Sequence, residues 1–294
     1  MKSLRKEDVK QEVFDLYDAY AHNKLERRDF VQKLSMYAVG GITVPSLMSF
    51  LMPDYESTFL VDRNNPDLNS SFITYNSTKG GGEIKALLSK PKSAIDKLPG
   101  IVVVHENRGL NPYVEDTARR AALADFITIA PDALSPLGGY PGNDDKGREM
   151  QRTRDRNEML EDFIAAFEYL KSHKDCNGKI GVVGFCFGGW ISNMMAVKVP
   201  DLGASVPFYG GQPTEGIEKI NAPLMLQYAG LDERVNAGWP AYEKALNALG
   251  KENVAYFYPN VNHGFHNTST PRYDEPAAEL AWSRTIEFFK EKLI

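Results

Sequence analysis

A chain of 294 residues, 43% hydrophobic and 25% charged, has the makeup of an ordinary globular protein with room for one substantial core and an appendage. Its formal net charge of -5 and isoelectric point near 5.7, with no basic stripe, argue against nucleic acid or an anionic membrane surface as the main partner. The two cysteines, Cys176 and Cys186, exclude a disulfide framework and offer no metal-site spacing, so no metal or cofactor is implied and a reducing, cytoplasmic setting is expected.

Residues 1–55 differ in texture from the rest. Lys6 to His22 is rich in helix formers, with Val9, Val13, Leu16 and Tyr20 at helical spacing. An uncharged run from Leu34 to Met52 follows Arg27-Arg28, which matches a twin-arginine export signal. Asp29 and the acidic leader count against that signal, as do Gly40, Gly41 and Pro45 inside the run. The same interruptions argue against a membrane span. The favoured expectation is a helical N-terminal extension that packs on the main domain or on a second copy of the chain, since so long an apolar run needs cover.

Asp62 to Asn69 reads as a linker, and the main domain is placed at residues 56–294. Phe72 to Tyr75 and Ile84 to Leu88, joined by Gly80-Gly81-Gly82, predict an edge hairpin. Beyond Pro99 strands alternate with helices. Strands are expected at Gly100–Val104, Phe126–Ala130, Lys179–Val183, Ala204–Phe208, Pro223–Tyr228 and Val254–Tyr258. Helices are expected at Val114–Ala124, Gly147–His173, Phe187–Lys198, Ala237–Leu249 and Ala277–Leu293. That rhythm predicts an α/β fold with a mostly parallel central sheet and helices on both faces.

The sequence Gly184-Phe185-Cys186-Phe187-Gly188-Gly189 falls between a predicted strand and a predicted helix. It has the form of a nucleophile elbow with cysteine at the apex, where the neighbours two before and two after tolerate no β-carbon. A glycine-rich turn around a buried, inert thiol fits the same letters. A nucleophilic cysteine needs a base, and the base needs an orienting group. Asp232, in Gly230-Leu231-Asp232, and His263, in Asn262-His263-Gly264-Phe265, each follow a predicted strand. In a parallel sheet they emerge at the same edge as Cys186. Asp232 also suits a helix N-cap. His266 is the rival to His263, while His22 and His173 are placed in or beside helices away from that edge.

In order, spacing and placement, these segments resemble the dienelactone hydrolase family of the α/β-hydrolase fold, from about Phe72 to the C-terminus. The block His105-Glu106-Asn107-Arg108-Gly109-Leu110-Asn111 adds to the likeness. The resemblance implies Cys186 as nucleophile, His263 as base and later acid, and Asp232 as orienter. The amides of Phe187 and Asn107 become the oxyanion hole, and Glu106 the carboxylate that contacts the resting thiol. An ion pair of Glu106 with Arg108 or Arg120 is the alternative. Arg108, Arg148 and Arg152 are candidates for binding substrate, with Arg154 also available. The arginine expected a few residues after the histidine is missing, Arg272 being the nearest, which bears on substrate and not on reaction type. The implied activity is hydrolysis of small esters or lactones through an S-acyl enzyme. Two alternatives stay open: a broader carboxylesterase or amide hydrolase capped by residues 1–55, and a non-catalytic binding protein.

Overall fold

The computed structural model describes residues 4–55 and 58–294. Three short helices come first, α1 (Gln11–Ala21), α2 (Arg27–Leu34) and α3 (Val44–Leu51). Their apolar faces close on one another around Val13, Phe14, Tyr17, Phe30, Leu34 and Leu47, with the rings of Tyr20 and Phe30 stacked at 4.6 Å. The apolar run is therefore covered largely within the extension itself, although Met36 and Val39 stay exposed. Arg27 and Arg28 open α2. Among the described residues no helix is long and apolar enough to cross a membrane.

The remaining chain alternates as expected: β1 (Leu68–Ser77), β2 (Gly82–Pro91), β3 (Leu98–Val104), α4 (Pro112–Leu123), β4 (Ile127–Pro131), α5 (Asp144–Arg152), α6 (Arg156–Ser172), β5 (Cys176–Phe185) and α7 (Phe187–Lys198). It continues with β6 (Ala204–Phe208), β7 (Leu224–Ala229), α8 (Glu233–Asn236), α9 (Trp239–Ala248), β8 (Asn253–Tyr258) and α10 (Glu275–Leu293). The strands form one eight-stranded sheet in the order β1-β2-β4-β3-β5-β6-β7-β8. The β1–β2 and β2–β4 pairs are antiparallel, and the others parallel.

Continuous apolar strands are what a sheet covered on both faces requires. Val102, Val104, Ile180 and Val182 enter the core under α6, α7 and α9, whereas Ile101, Val103, Val183 and Phe185 enter the one under α4 and α10. This is the α/β-hydrolase fold.

The helix expected over Gly147–His173 is two helices. It breaks at Thr153–Asp155, where the Asp155 carboxylate accepts from the amides of Asn157 and Glu158 and starts α6 afresh. The linker expected at Asp62–Asn69 ends early, because Leu68 and Asn69 already pair with Pro91 and Lys90. The first helix begins at Gln11, after a single 3-10 turn at Lys6–Asp8. The expected domain boundary falls at residues 56–57, outside the described residues.

Because the extension and the sheet have separate cores, they should respond separately to a cavity. Phe30→Ala is expected to cost about 3–5 kcal/mol, read by hydrogen exchange as lost protection over α1 to α3 while β3 and β5 keep theirs. Equal loss in both would contradict separate cores.

Candidate functional site

Between β5 and α7 the chain reverses within one residue. A β-carbon on Gly184 would stand 2.0 Å from the Gly188 carbonyl oxygen, and one on Gly188 would stand 2.4 Å from that of Val104. Only hydrogen at both positions allows strand, turn and helix to close so tightly. Cys186 at the apex takes φ 57 and ψ -108, a strained setting for a side chain that costs about 1–3 kcal/mol. The turn leaves Cys186 half-buried at the carboxyl edge of the sheet, unlike the buried Cys176.

Two later strands deliver their loops to the same edge. After β7, the Asp232 carboxylate accepts from the Val235 amide with one oxygen and lies 2.6 Å from His263 Nδ1 with the other. One side chain thus serves both as the cap of α8 and as the partner of the histidine. His263 follows β8, and a nitrogen of its ring lies within 4.8 Å of the Cys186 sulfur, although its Nε2 makes no hydrogen bond among the described residues. His266 turns away into the core, where its ring meets the Tyr113 hydroxyl at 2.7 Å and stacks on Phe185. His105 is also buried, its Nε2 accepting from the Ala133 amide.

The sequence reading misplaced one residue outright. His22, the C-cap of α1, was expected away from the edge, yet its Nε2 lies 3.2 Å from the Cys186 sulfur. Its ring meets that of His263 edge to face at 4.7 Å. Polar contacts hold the extension here. Asn107 Nδ2 donates to the Ala21 carbonyl at 2.7 Å, and Arg148 donates to the Tyr20 carbonyl at 3.3 Å while stacking on the Tyr20 ring. Tyr20 in turn donates to Asp145. Nothing in the periodicity of α1 marks His22, since its position depends on how the extension docks.

Charges around the sulfur reinforce one another. Burial works against ionising Cys186, but the rings of His22 and His263 outweigh it and hold the thiol well below its usual range. For His263 burial opposes the charged ring. The Asp232 carboxylate and the sulfur prevail, with Asp18 adding to them, and raise it to about 10. In Asp232 the same pairing overcomes burial and keeps the carboxylate low.

Glu106 differs from expectation. Its carboxylate is buried and accepts from Asn267 Nδ2 at 2.8 Å, and burial pushes it upward against the nearby Arg108. The place beside the thiol is taken by His22. Neither ion pair considered for Glu106 forms: Arg108 pairs with Asp144, and the Arg120 guanidinium lies over the Trp282 ring.

A cavity of about 410 Å³ opens over Cys186, Phe187 and Asn107. Arg148 and Arg152 line it, together with Arg154, Arg156 and Arg234, and among the described residues no carboxylate does. Arg108 does not reach it: buried between Asp144 and the Tyr17 hydroxyl, it ties α5 and the extension together. Arg154 is held by Asp162, and Arg156 lies over the Trp190 ring at 3.5 Å. Arg272 is buried below Gly264, 3.8 Å from Asp18. Arg148, Arg152 and Arg154 were candidates from the sequence, whereas Arg156 and Arg234, the latter two residues past Asp232, were not.

The Cys186 sulfur and one ring nitrogen each of His22 and His263 lie within 4.8 Å of one another, a soft donor set of the kind zinc uses. Against a cation there, the Arg234 guanidinium lies 3.3 Å from His22 and 3.2 Å from His263, fixing a positive charge beside the site.

Comparison with known proteins agrees with this architecture. A model of the dienelactone hydrolase family matches residues 84–293, and one described as YqhI-like matches residues 1–40. An Escherichia coli protein named "Putative hydrolase fragment YghX" is 51% identical over 114 residues, covering 39% of this chain and 97% of that one. A Saccharolobus solfataricus protein named "Putative carboxymethylenebutenolidase" is 30% identical over 249 residues, covering 71% of this chain and 95% of that one. Among solved structures, a "Putative Dienelactone Hydrolase" of Klebsiella pneumoniae superposes with a TM-score of 0.66 at 24% identity, covering 76% and 98% of the two chains. Since the family match takes in well over half of the sequence, the chain belongs to the dienelactone hydrolase family and is a hydrolase.

Proposed function

We propose that this hydrolase cleaves small anionic lactones or esters at Cys186 through an S-acyl enzyme. The supporting observation is the pairing of Asp232 with His263, whose ring lies within 4.8 Å of a sulfur raised on a strained turn beside an open cavity. In acylation the thiolate attacks the carbonyl carbon. The carbonyl oxygen, as it gains charge, is met by the amides of Phe187 and Asn107, each worth about 3 kcal/mol. The carbon–oxygen bond breaks, and the leaving oxygen takes the proton of His263.

Acylation then changes the base. The thiolate charge that helped to raise His263 is gone, so its affinity for a proton drops and the neutral ring can take one from water. The resulting hydroxide attacks the thioester, the carbon–sulfur bond breaks, and the thiolate returns. Asp232 fixes the ring throughout. Glu106, buried beneath the site, tunes the charge balance without touching the sulfur. The arginines lining the cavity select a carboxylate or similar anion on the substrate. A broader esterase with residues 1–55 as its cap is favoured by one observation, that His22 and Asn23 form part of the cavity wall.

Cys186→Ala is expected to lower kcat on enol-lactones and aryl esters by at least about a hundredfold, and full turnover would contradict the assignment. The profile of kcat/KM against pH should be flat through neutrality. It should fall only near pH 10, because a ring raised to about 10 keeps the proton it donates until then. Asp232→Asn removes the strongest partner that raises it, so the alkaline fall should move down by roughly a unit or more as kcat drops about 10²- to 10⁴-fold. An unmoved alkaline limb would count against His263 as proton donor. Arg152→Ala should raise KM for a carboxylate-bearing lactone about tenfold, roughly 1.4 kcal/mol, and leave a neutral ester unaffected. Equal effects on both would remove the case for an anionic substrate.

A further inference from the structure

We propose that the N-terminal extension supplies a second histidine to the catalytic centre: His22, oriented by Asp18, donates its Nε2 hydrogen to the Cys186 sulfur and holds it as the thiolate whenever it carries no acyl group. The inference rests on Cys186 being the nucleophile.

The tautomer follows from the partners. His22 Nδ1 lies 2.8 Å from the Asp18 carbonyl and 3.1 Å from the Asp18 carboxylate. Both are acceptors, so Nδ1 carries a hydrogen. Nε2 is then the atom that exchanges a proton with the sulfur, 3.2 Å away. Asp18 thus faces His22 as Asp232 faces His263, but here the backbone carbonyl takes the hydrogen bond while the carboxylate stands alongside as a charge.

The local structure suits a charged ring. His22 caps the C-terminus of α1, where the partial negative charge of the helix end favours a cation. Asn23 then takes φ 59 and turns the chain away. At that end the Ala21 carbonyl accepts from Asn107 of the main domain, and the Tyr20 carbonyl, which already accepts from the Asn23 amide, also accepts from Arg148. The ring is therefore positioned by the main domain and not merely parked against it.

Other groups facing the sulfur and the ring set the balance. Arg234 reaches from α8 toward Asp18 and both rings, and Arg272 approaches Asp18 from behind. Arg156, across the cavity, and the buried Glu106 also act on the charge of the sulfur. Burial disfavours the charged His22 ring, but Cys186 and Asp18 outweigh it and raise its proton affinity.

Protons balance with His22 as a spectator cation. On ionisation the thiol proton passes to Nε2 and stays there, while His263 gives its proton to the leaving oxygen and regains one from water. When the carbon–sulfur bond breaks, His22 meets the returning thiolate. An ester and water become an acid and an alcohol, and no outside reagent is needed.

The test follows iodoacetamide alkylation of Cys186 against pH in the full chain, with Cys176 as internal reference. The wild type should alkylate with a midpoint below about pH 7. His22→Gln should shift that midpoint up toward the ~8.5 of a free thiol and lower kcat about ten- to a hundredfold with a smaller change in KM. Asp18→Asn should shift it less, in the same direction. Arg27→Ala weakens docking at its exposed ion pair with Asp145 without approaching the sulfur, and should match the wild type. In the protein with His22 intact, ring nitrogen shifts should report a protonated His22 from about pH 6 to 8. A neutral ring there, or a wild-type alkylation profile in His22→Gln, overturns the proposal. If Cys186→Ala is nevertheless inactive, the nucleophile assignment survives that failure. An active Cys186→Ala would instead sink both.

Discussion

The close approach of three backbones at the elbow constrains everything else in this molecule. Glycine at positions 184 and 188 lets the start of α7 press against the end of β5 and the Val104 carbonyl of β3. This forces Cys186 into its left-handed conformation. The sulfur is thereby fixed at the sheet edge, and the Phe187 amide at a helix N-terminus. Parallel pairing of β5 through β8 then places the loops bearing Asp232 and His263 on that edge. A larger residue at either glycine would separate these elements before it altered any chemical group.

Electrostatics builds on that geometry. Around one sulfur stand two imidazoles, each backed by an aspartate, with Arg234 between them. Such crowding of cations is tolerable because Asp18 and Asp232 are held ionised by the groups they serve. For Asp18 the rings of His263 and His22, with Arg234, overcome burial and keep the carboxylate well below its usual range. The extension is consequently part of the charge balance of the site as well as part of its wall.

The sheet was legible in the sequence because strands buried on both faces are largely apolar: Ile101–Val104 is so throughout, and Leu224–Tyr228 is broken only by the buried Gln227. Asp232 and His263 were legible for a related reason, each standing just past a predicted strand. What escaped depended on long-range polar contacts that leave no periodic trace. His22 reaches the sulfur only because Asn107 and Arg148 capture the end of α1. Arg108 was proposed for substrate, but its charge is taken by Asp144 and its reach ends at Tyr17. The split of the long helix had a local signal after all: Asp155 and Glu158 stand at capping-box spacing, overlooked beneath a continuous run of helix formers.

The central claim is that acyl groups pass through the Cys186 sulfur, and mass spectrometry of protein quenched in acid during turnover of an activated ester tests it most directly. One acyl group on the peptide carrying Cys186, appearing within the first turnover and lost on chasing with buffer, is the expected result. An adduct on Cys176 or on a serine, or none at all while product accumulates, would contradict it.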